Sequence, residues 1–106
     1  MMKAPTIVRI GSRDFTISLT EPPIDPDNRG TLGKIDYSNS GIKIDAVLDV
    51  QTKSYVLWHE IVHGIDNQYF GLRLLKSEQE AELLGEALAQ VMRDLGIVFV
   101  FEDTPT

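Results

Sequence analysis

Cysteine is absent from this 106-residue chain. That excludes disulfide scaffolds, Cys-based zinc fingers, iron–sulfur clusters and thiol catalysis together. Bases are in the minority, with 10 Lys and Arg against 16 Asp and Glu and a formal net charge of −6. A broad basic face for nucleic acid does not fit that balance, so no nucleic-acid partner is expected. Long hydrophobic runs are missing too. The longest, Ile97–Phe101, has five residues, where a bilayer span needs about 20. Met1–Thr6 holds no apolar stretch of signal-peptide length. The expectation is a cytoplasmic protein without a membrane partner. Histidine is the scarcest functional resource, with only 2 residues, and these are His59 and His63.

What is present is ordinary for a folded domain: 42% hydrophobic and 25% charged residues. The length suits one domain over residues 1–106. The N-terminal half has the period of strands. Thr6–Ile10 and Phe15–Leu19 are β-rich runs separated by Gly11-Ser12-Arg13-Asp14, a hairpin pattern. Residues 21–30 collect Pro22, Pro23, Pro26 and Gly30 and form a loop. Thr31–Tyr37 and Ile42–Leu48, joined by Ser38-Asn39-Ser40-Gly41, predict a second hairpin. The period then lengthens. Apolar residues at Val56, Leu57, Ile61, Val62 and Ile65 predict a helix from about Thr52 to Phe70, with Gly64 as a weak point and Gly71 as its stop. A second helix begins at the capping box Ser77-Glu78-Gln79-Glu80. Its expected core stripe is Ala81, Leu84, Leu88, Val91 and Leu95, and Gly96 ends it. The predicted class is α+β, a twisted antiparallel sheet packed on the first helix with the second helix behind. Residues 97–101 would add a strand or cover the core, and Glu102–Thr106 would fray.

The first helix carries His59-Glu60-Ile61-Val62-His63, the pattern H-E-x-x-H. Residues i and i+4 share one helix face, so both imidazoles can address one ion. Zinc suits such a pair. Glu60, about 100° round from His59, is placed to take a proton from water as that water attacks a carbonyl. A catalytic zinc needs a third protein ligand, and no His remains. A carboxylate must supply it, from Glu78, Glu80, Glu82 or Glu86. The capping box accounts for Glu80, and the helix dipole accounts for Glu78 in the first turn. Glu82 and Glu86 remain. If the helices pack antiparallel, both lie level with the motif. Glu82 is favoured because Gly85 and Ala89 continue its stripe and permit close approach. Asp66 shares the face of the two His residues. It would either orient an imidazole or stand as an exposed acid. Tyr69, Tyr37, Tyr55 and Arg73 are candidates for stabilising an oxyanion. Tyr69, one turn past the motif, is preferred.

Tyr55–Ile65, with its H-E-x-x-H core, followed by Glu82-Leu83-Leu84-Gly85-Glu86-Ala87-Leu88-Ala89, resembles the small gluzincin-type zinc metallopeptidases. These include minimal gluzincins and short phage or prophage relatives of the ImmA/IrrE-type metallopeptidases. The resemblance implies a zincin-like fold. It implies His59, His63 and Glu82 as ligands of Zn2+, Glu60 as general base, and a peptide or protein as substrate. It also implies a terminal segment that can hold such an enzyme latent, here residues 97–101 with Glu102 and Asp103. The strand near Ile42–Leu48 would line the cleft and pair with an extended peptide. The competing reading is a non-catalytic, metal-stabilised protein-binding module. A metal-free interaction protein is a third.

Overall fold

Two local hairpins organise the sheet. In the computed structural model, which describes residues 2–101, β1 is Met2–Lys3, β2 Ile7–Ile10, β3 Arg13–Thr20, β4 Gly33–Asp36 and β5 Gly41–Asp45. Helices α1 (Val50–Phe70) and α2 (Glu78–Asp94) follow, and β6 is Phe99–Val100. The class is α+β, as expected. β2 and β3 pair antiparallel with Val8 opposite Phe15, and β4 and β5 pair antiparallel with Ile35 opposite Ile42. The second turn is held by one side chain. Asp36 Oδ1 accepts from the Ser38 and Asn39 backbone N–H groups, and Oδ2 accepts from Asn39 Nδ2.

The sheet is mixed rather than antiparallel throughout. Its order is β2-β3-β5-β4, and β3 and β5 run parallel, with Ile17 opposite Ile42 and Leu19 opposite Ile44. The loop after β3 is long enough to set β4 two places away, and β5 then returns into the gap. β5 belongs there because Ile42 and Ile44 are both fully buried, as an interior strand requires. The expectation that β5 lines the cleft is therefore corrected. β4 is the outer strand on that side.

β3 alternates by period two, with Phe15 and Ile17 buried and Asp14, Thr16 and Ser18 exposed. Phe15 and Ile17, with Ile10, Ile42, Ile44, Val56 and Leu57, form the core between sheet and α1. Asp49 caps α1, accepting from the Thr52 N–H, and Gly71 ends it in the left-handed conformation. Gly64, a weak point by propensity, has a packing reason. A Cβ there would stand 2.7 Å from Ile10 Cδ1 and 3.2 Å from Ile35 Cδ1, where α1 crosses the sheet.

The burial of α2 departs from the expected core stripe at its larger residues, while Ala81 is buried as expected and Gly85 and Ala89 face α1 as the close approach required. Ala81, Gly85 and Ala89 are its buried residues. Leu84, Val91 and Leu95 are exposed. Small residues win the contact because they let two helices approach closely, and the larger side chains are then turned outward. The cap of α2 differs in one bond from the reciprocal box. Ser77 Oγ accepts from the Glu80 N–H, but Glu80 Oε1 accepts from the Lys76 N–H rather than that of Ser77. β6 pairs parallel with β1, and Phe99 stacks on Trp58 with ring centroids 6.2 Å apart. Residues 97–101 thus add a short strand and cover the Trp58 flank of α1. Glu102–Thr106 lie outside the described residues.

No helix is long and apolar enough to cross a membrane among the described residues.

Candidate metal centre

The site is built on α1, and its geometry starts from helix periodicity. His59 and His63 stand one turn apart with ring centroids 4.8 Å apart. Their Nε2 atoms converge on one carboxylate. His59 Nε2 lies 2.6 Å from Glu78 Oε1, and His63 Nε2 lies 3.1 Å from Glu78 Oε2. One ligand atom from each of His59, His63 and Glu78 falls within 4.8 Å of the others. Ligand atoms around a tetrahedral zinc, at 2.0–2.1 Å from the ion, are separated by roughly 3.3 Å. The three groups could hold such an ion once the His59–Glu78 contact opens from 2.6 Å and the wider separations, up to 4.8 Å, close.

Glu82 is not the carboxylate that the fold brings to the imidazoles. It lines the same cavity, as does Glu86, but among the described residues the His pair groups with Glu78. The reason is azimuth. Gly85 marks the direction from α2 to α1, because a Cβ there would stand 2.8 Å from His59 Cα. At about 100° per residue, Glu78 lies roughly 20° from that direction, Glu82 roughly 60° and Glu86 roughly 100°. Each step of four residues along the acidic ladder turns the side chain farther from α1. The seven-residue spacing of Glu78 and Gly85 is the sequence signal that singles out Glu78.

Glu60 is buried, with its carboxylate Oε2 3.9 Å from His59 Nε2. Burial raises its pKa from an ordinary 4.5 to about 7, the Glu78 carboxylate adds to the rise, and a hydrogen bond to the Ile35 backbone opposes it. Ile35 belongs to β4, so the outer strand itself holds the carboxylate at the rim of the site. Tyr37, just past β4, donates from its hydroxyl to the His63 carbonyl at 3.2 Å. Desolvation raises the Tyr37 pKa, and the Glu60, Asp66 and Glu78 charges raise it further.

These groups line a cavity of about 670 Å³. One wall is β4 and the segment before it, Gly30–Ile35, and the facing wall is the ladder Glu78, Glu82 and Glu86. None of residues 97–101 lines it. A second, smaller cavity of about 220 Å³ lies beside Trp58 and Phe99.

Two further expectations are corrected. Asp66 is neither a partner of an imidazole nor exposed. It is buried, and its carboxylate accepts from the Leu74 and Leu75 N–H groups at 2.8 and 3.3 Å. It holds the turn between α1 and α2. Tyr69 is exposed and Arg73 donates to the Phe70 carbonyl; neither lines the cavity, whereas Tyr37 and Tyr55 do.

Compared with protein-family profiles, curated proteins and solved structures, the chain finds no match.

Proposed function

We propose that this domain is a zinc-dependent metallopeptidase of zincin-like fold, in which His59, His63 and Glu78 hold the metal and Glu60 is the general base. The observation that carries the reading is the convergence of two imidazoles and one carboxylate in an open cleft, with a second, buried carboxylate beside them. Two His and one Glu form a donor set suited to catalytic zinc, which keeps a further position for substrate chemistry. Bound there, zinc would polarise the peptide carbonyl and lower the pKa of water.

The residues of the chain do the rest. Glu60 takes a proton from the attacking water and passes it to the leaving amine. The Ile35 backbone fixes the direction of its carboxylate. β4 pairs with β5 along one edge, and no strand pairs with its other edge among the described residues; Glu60 meets that edge at Ile35, and an extended peptide would add as a strand along the rest of it. The peptide backbone would then pass the metal ligands with its carbonyls in line. Small amphipathic helices cannot enter this way, so the substrate class is an extended peptide or an unfolded protein segment.

Replacing Glu60 by Gln tests the reading. Zinc binding should persist at near wild-type stoichiometry while cleavage of a mixed peptide library by the zinc-loaded protein disappears. If the zinc-loaded wild type cleaves nothing and the substitution changes nothing, the metal is structural and the domain is a binding module.

A further inference from the structure

The cleft continues beyond the metal ligands, and its course can be followed residue by residue. Tyr37, just past β4, bonds to the His63 carbonyl, and the Ile35 backbone bonds to Glu60. A Cβ on Gly33 would stand 2.3 Å from Val56 Cγ1 and 3.4 Å from Glu60 Oε2. β4 therefore tracks α1 in the same direction. Its N-terminal end, with residues 30–32 before it, leads away from His63 toward Thr52 and Tyr55. α2 runs the opposite way. Glu78 meets both imidazoles, Gly85 touches the His59 backbone, and Ala89 lines the second cavity with Ser54. Glu82 and Glu86 accordingly stand along the stretch of cleft that leads away from the metal ligands, across from residues 30–33.

Acidic ladders are common on exposed helix faces and mean little alone, and like charges four residues apart repel. Three observations set this one apart. It walls a cavity of about 670 Å³ that also holds the two imidazoles and Glu60. Across the cavity, no strand pairs with the outer edge of β4 among the described residues. The charge is also uncompensated. Glu82 and Glu86 are exposed and enter no hydrogen bond or ion pair among the described residues. Lys34, the one Lys or Arg among the described lining residues, pairs with Asp25 at 3.8 Å. We infer that Glu82 and Glu86 select peptides that carry basic side chains at two alternate positions on one side of the scissile bond. The inference rests on the peptidase reading and names its substrate class. The spacings agree. Successive rungs of the ladder are about 6 Å apart, and side chains on one face of an extended strand recur about every 6.7 Å. With one residue of the added strand at the metal ligands, the residues two and four positions along it come level with Glu82 and Glu86.

The test separates binding from cleavage. Zinc-loaded E60Q, which should leave peptides intact, is titrated with labelled, otherwise neutral peptides that hold Lys, Gln or Glu at the second and fourth positions on either side of a central bond. Lys at both positions on one side should tighten binding roughly 5- to 10-fold over Gln, as two exposed ion pairs allow, and Glu should weaken it. The preference should fade at about 1 M salt. Lys at the first and third positions, whose side chains point away from the helices, should gain less, which separates the wall from the general attraction of a chain of net charge −6. Zinc-loaded wild type should rank the same peptides in kcat/KM. The double variant E82K/E86K should invert the order toward Glu peptides while holding zinc within a few-fold of wild type, an inversion that a structural role of either residue would not produce. Cleavage by wild type with no preference among the peptides overturns the inference and leaves the peptidase reading standing. Lys-selective binding that inverts in E82K/E86K, with no cleavage by wild type, supports selection of basic peptides and overturns the peptidase reading. Neither binding nor cleavage overturns both.

Discussion

Gly85 touches the backbone of His59. A Cβ built on Gly85 would stand 2.8 Å from His59 Cα and 2.9 Å from its N, closer than real Cβ contacts allow. The obstacle is backbone, so it cannot swing aside, and any side chain at Gly85 must push α2 away from α1. Gly85→Ala should therefore destabilise the metal-free protein by roughly 1–2 kcal/mol, because overpacking costs about 1–3 kcal/mol and the better helix propensity of Ala returns up to about 1. It should also weaken zinc binding, since Glu78 rides on the displaced helix. Gly41→Ala, where the nearest contact is Thr16 O at 3.9 Å, is the control. Urea unfolding and a zinc competition titration on both variants check the pair. Equal stability of Gly85→Ala and wild type would show that the helices have room to spare.

The third ligand is decided by comparing three acids that share one helix. Glu78→Gln should lower zinc affinity by roughly 100-fold or more, beyond the 10–100-fold typical of supporting residues. Glu82→Gln and Glu86→Gln should lie within a few-fold of wild type. Zinc titration by competition with a chelating dye measures all three. If Glu82→Gln shows the large loss instead, α2 turns relative to α1 when the metal binds.

The parts of this fold that are local in the chain are the parts that the sequence exposes. The two hairpins, the helix from about Thr52 to its stop at Gly71 with its motif, and the Ser77 start of α2 each depend on residues within a few positions of one another. His59, Glu60 and His63 belong to the same class, since one helical turn fixes their relation. The parallel contact between β3 and β5 is different. It depends on where a proline-rich loop sets β4, and no local pattern records that. The burial of α2 was legible in part, since Gly85 and Ala89 mark the side that approaches α1, while the exposure of Leu84, Val91 and Leu95 came from a competition. Size favours Leu84, Leu88 and Val91 for a core, but close approach of two helices favours Ala81, Gly85 and Ala89, and approach prevailed. Glu78 went with that choice. Its level along the helix is less favourable than that of Glu82, but seven residues before Gly85 its direction is better, a relation that the helix-dipole explanation of Glu78 passes over.

The buried carboxylate of Glu60 gives the metal-free protein a defined pH dependence. Its folded pKa, about 7, lies above its ordinary 4.5. The folded state therefore binds the proton more tightly than the unfolded state. Below about pH 4.5 both states are protonated and no penalty arises. As pH rises through the window from 4.5 to about 7, the unfolded state releases the proton first and stability falls by about 1.4 kcal/mol per pH unit. The accumulated loss is on the order of 3 kcal/mol, and it levels off above pH 7. Glu60→Gln removes this loss, so metal-free Glu60→Gln should be more stable than metal-free wild type at pH 8 and show a flatter stability profile across the window. Denaturant unfolding in the presence of a chelator, repeated from pH 4.5 to 8, checks both. A wild-type profile parallel to that of Glu60→Gln would mean that the carboxylate is as well solvated folded as unfolded.

Asp66 illustrates how an acid on the face of a metal motif can serve the chain rather than the ion. Its carboxylate accepts from the Leu74 and Leu75 N–H groups, and its own carbonyl accepts from the N–H groups of Gly71 and Leu72. Four donors from the turn between α1 and α2 thus end on one residue. Asp66→Ala would leave the Leu74 and Leu75 donors unsatisfied in a half-buried setting, at about 1–3 kcal/mol for each group so stranded. Asp66→Asn keeps one acceptor oxygen and should cost less. Because the turn sets where α2 begins, Asp66→Ala should also loosen Glu78, four residues past the Leu74 donor, and reduce zinc affinity in step with stability. A ligand-orienting role would give a different pattern: zinc affinity falling in Asp66→Asn with unfolding stability unchanged. Measuring the two quantities on both variants separates a turn anchor from a partner of the imidazoles.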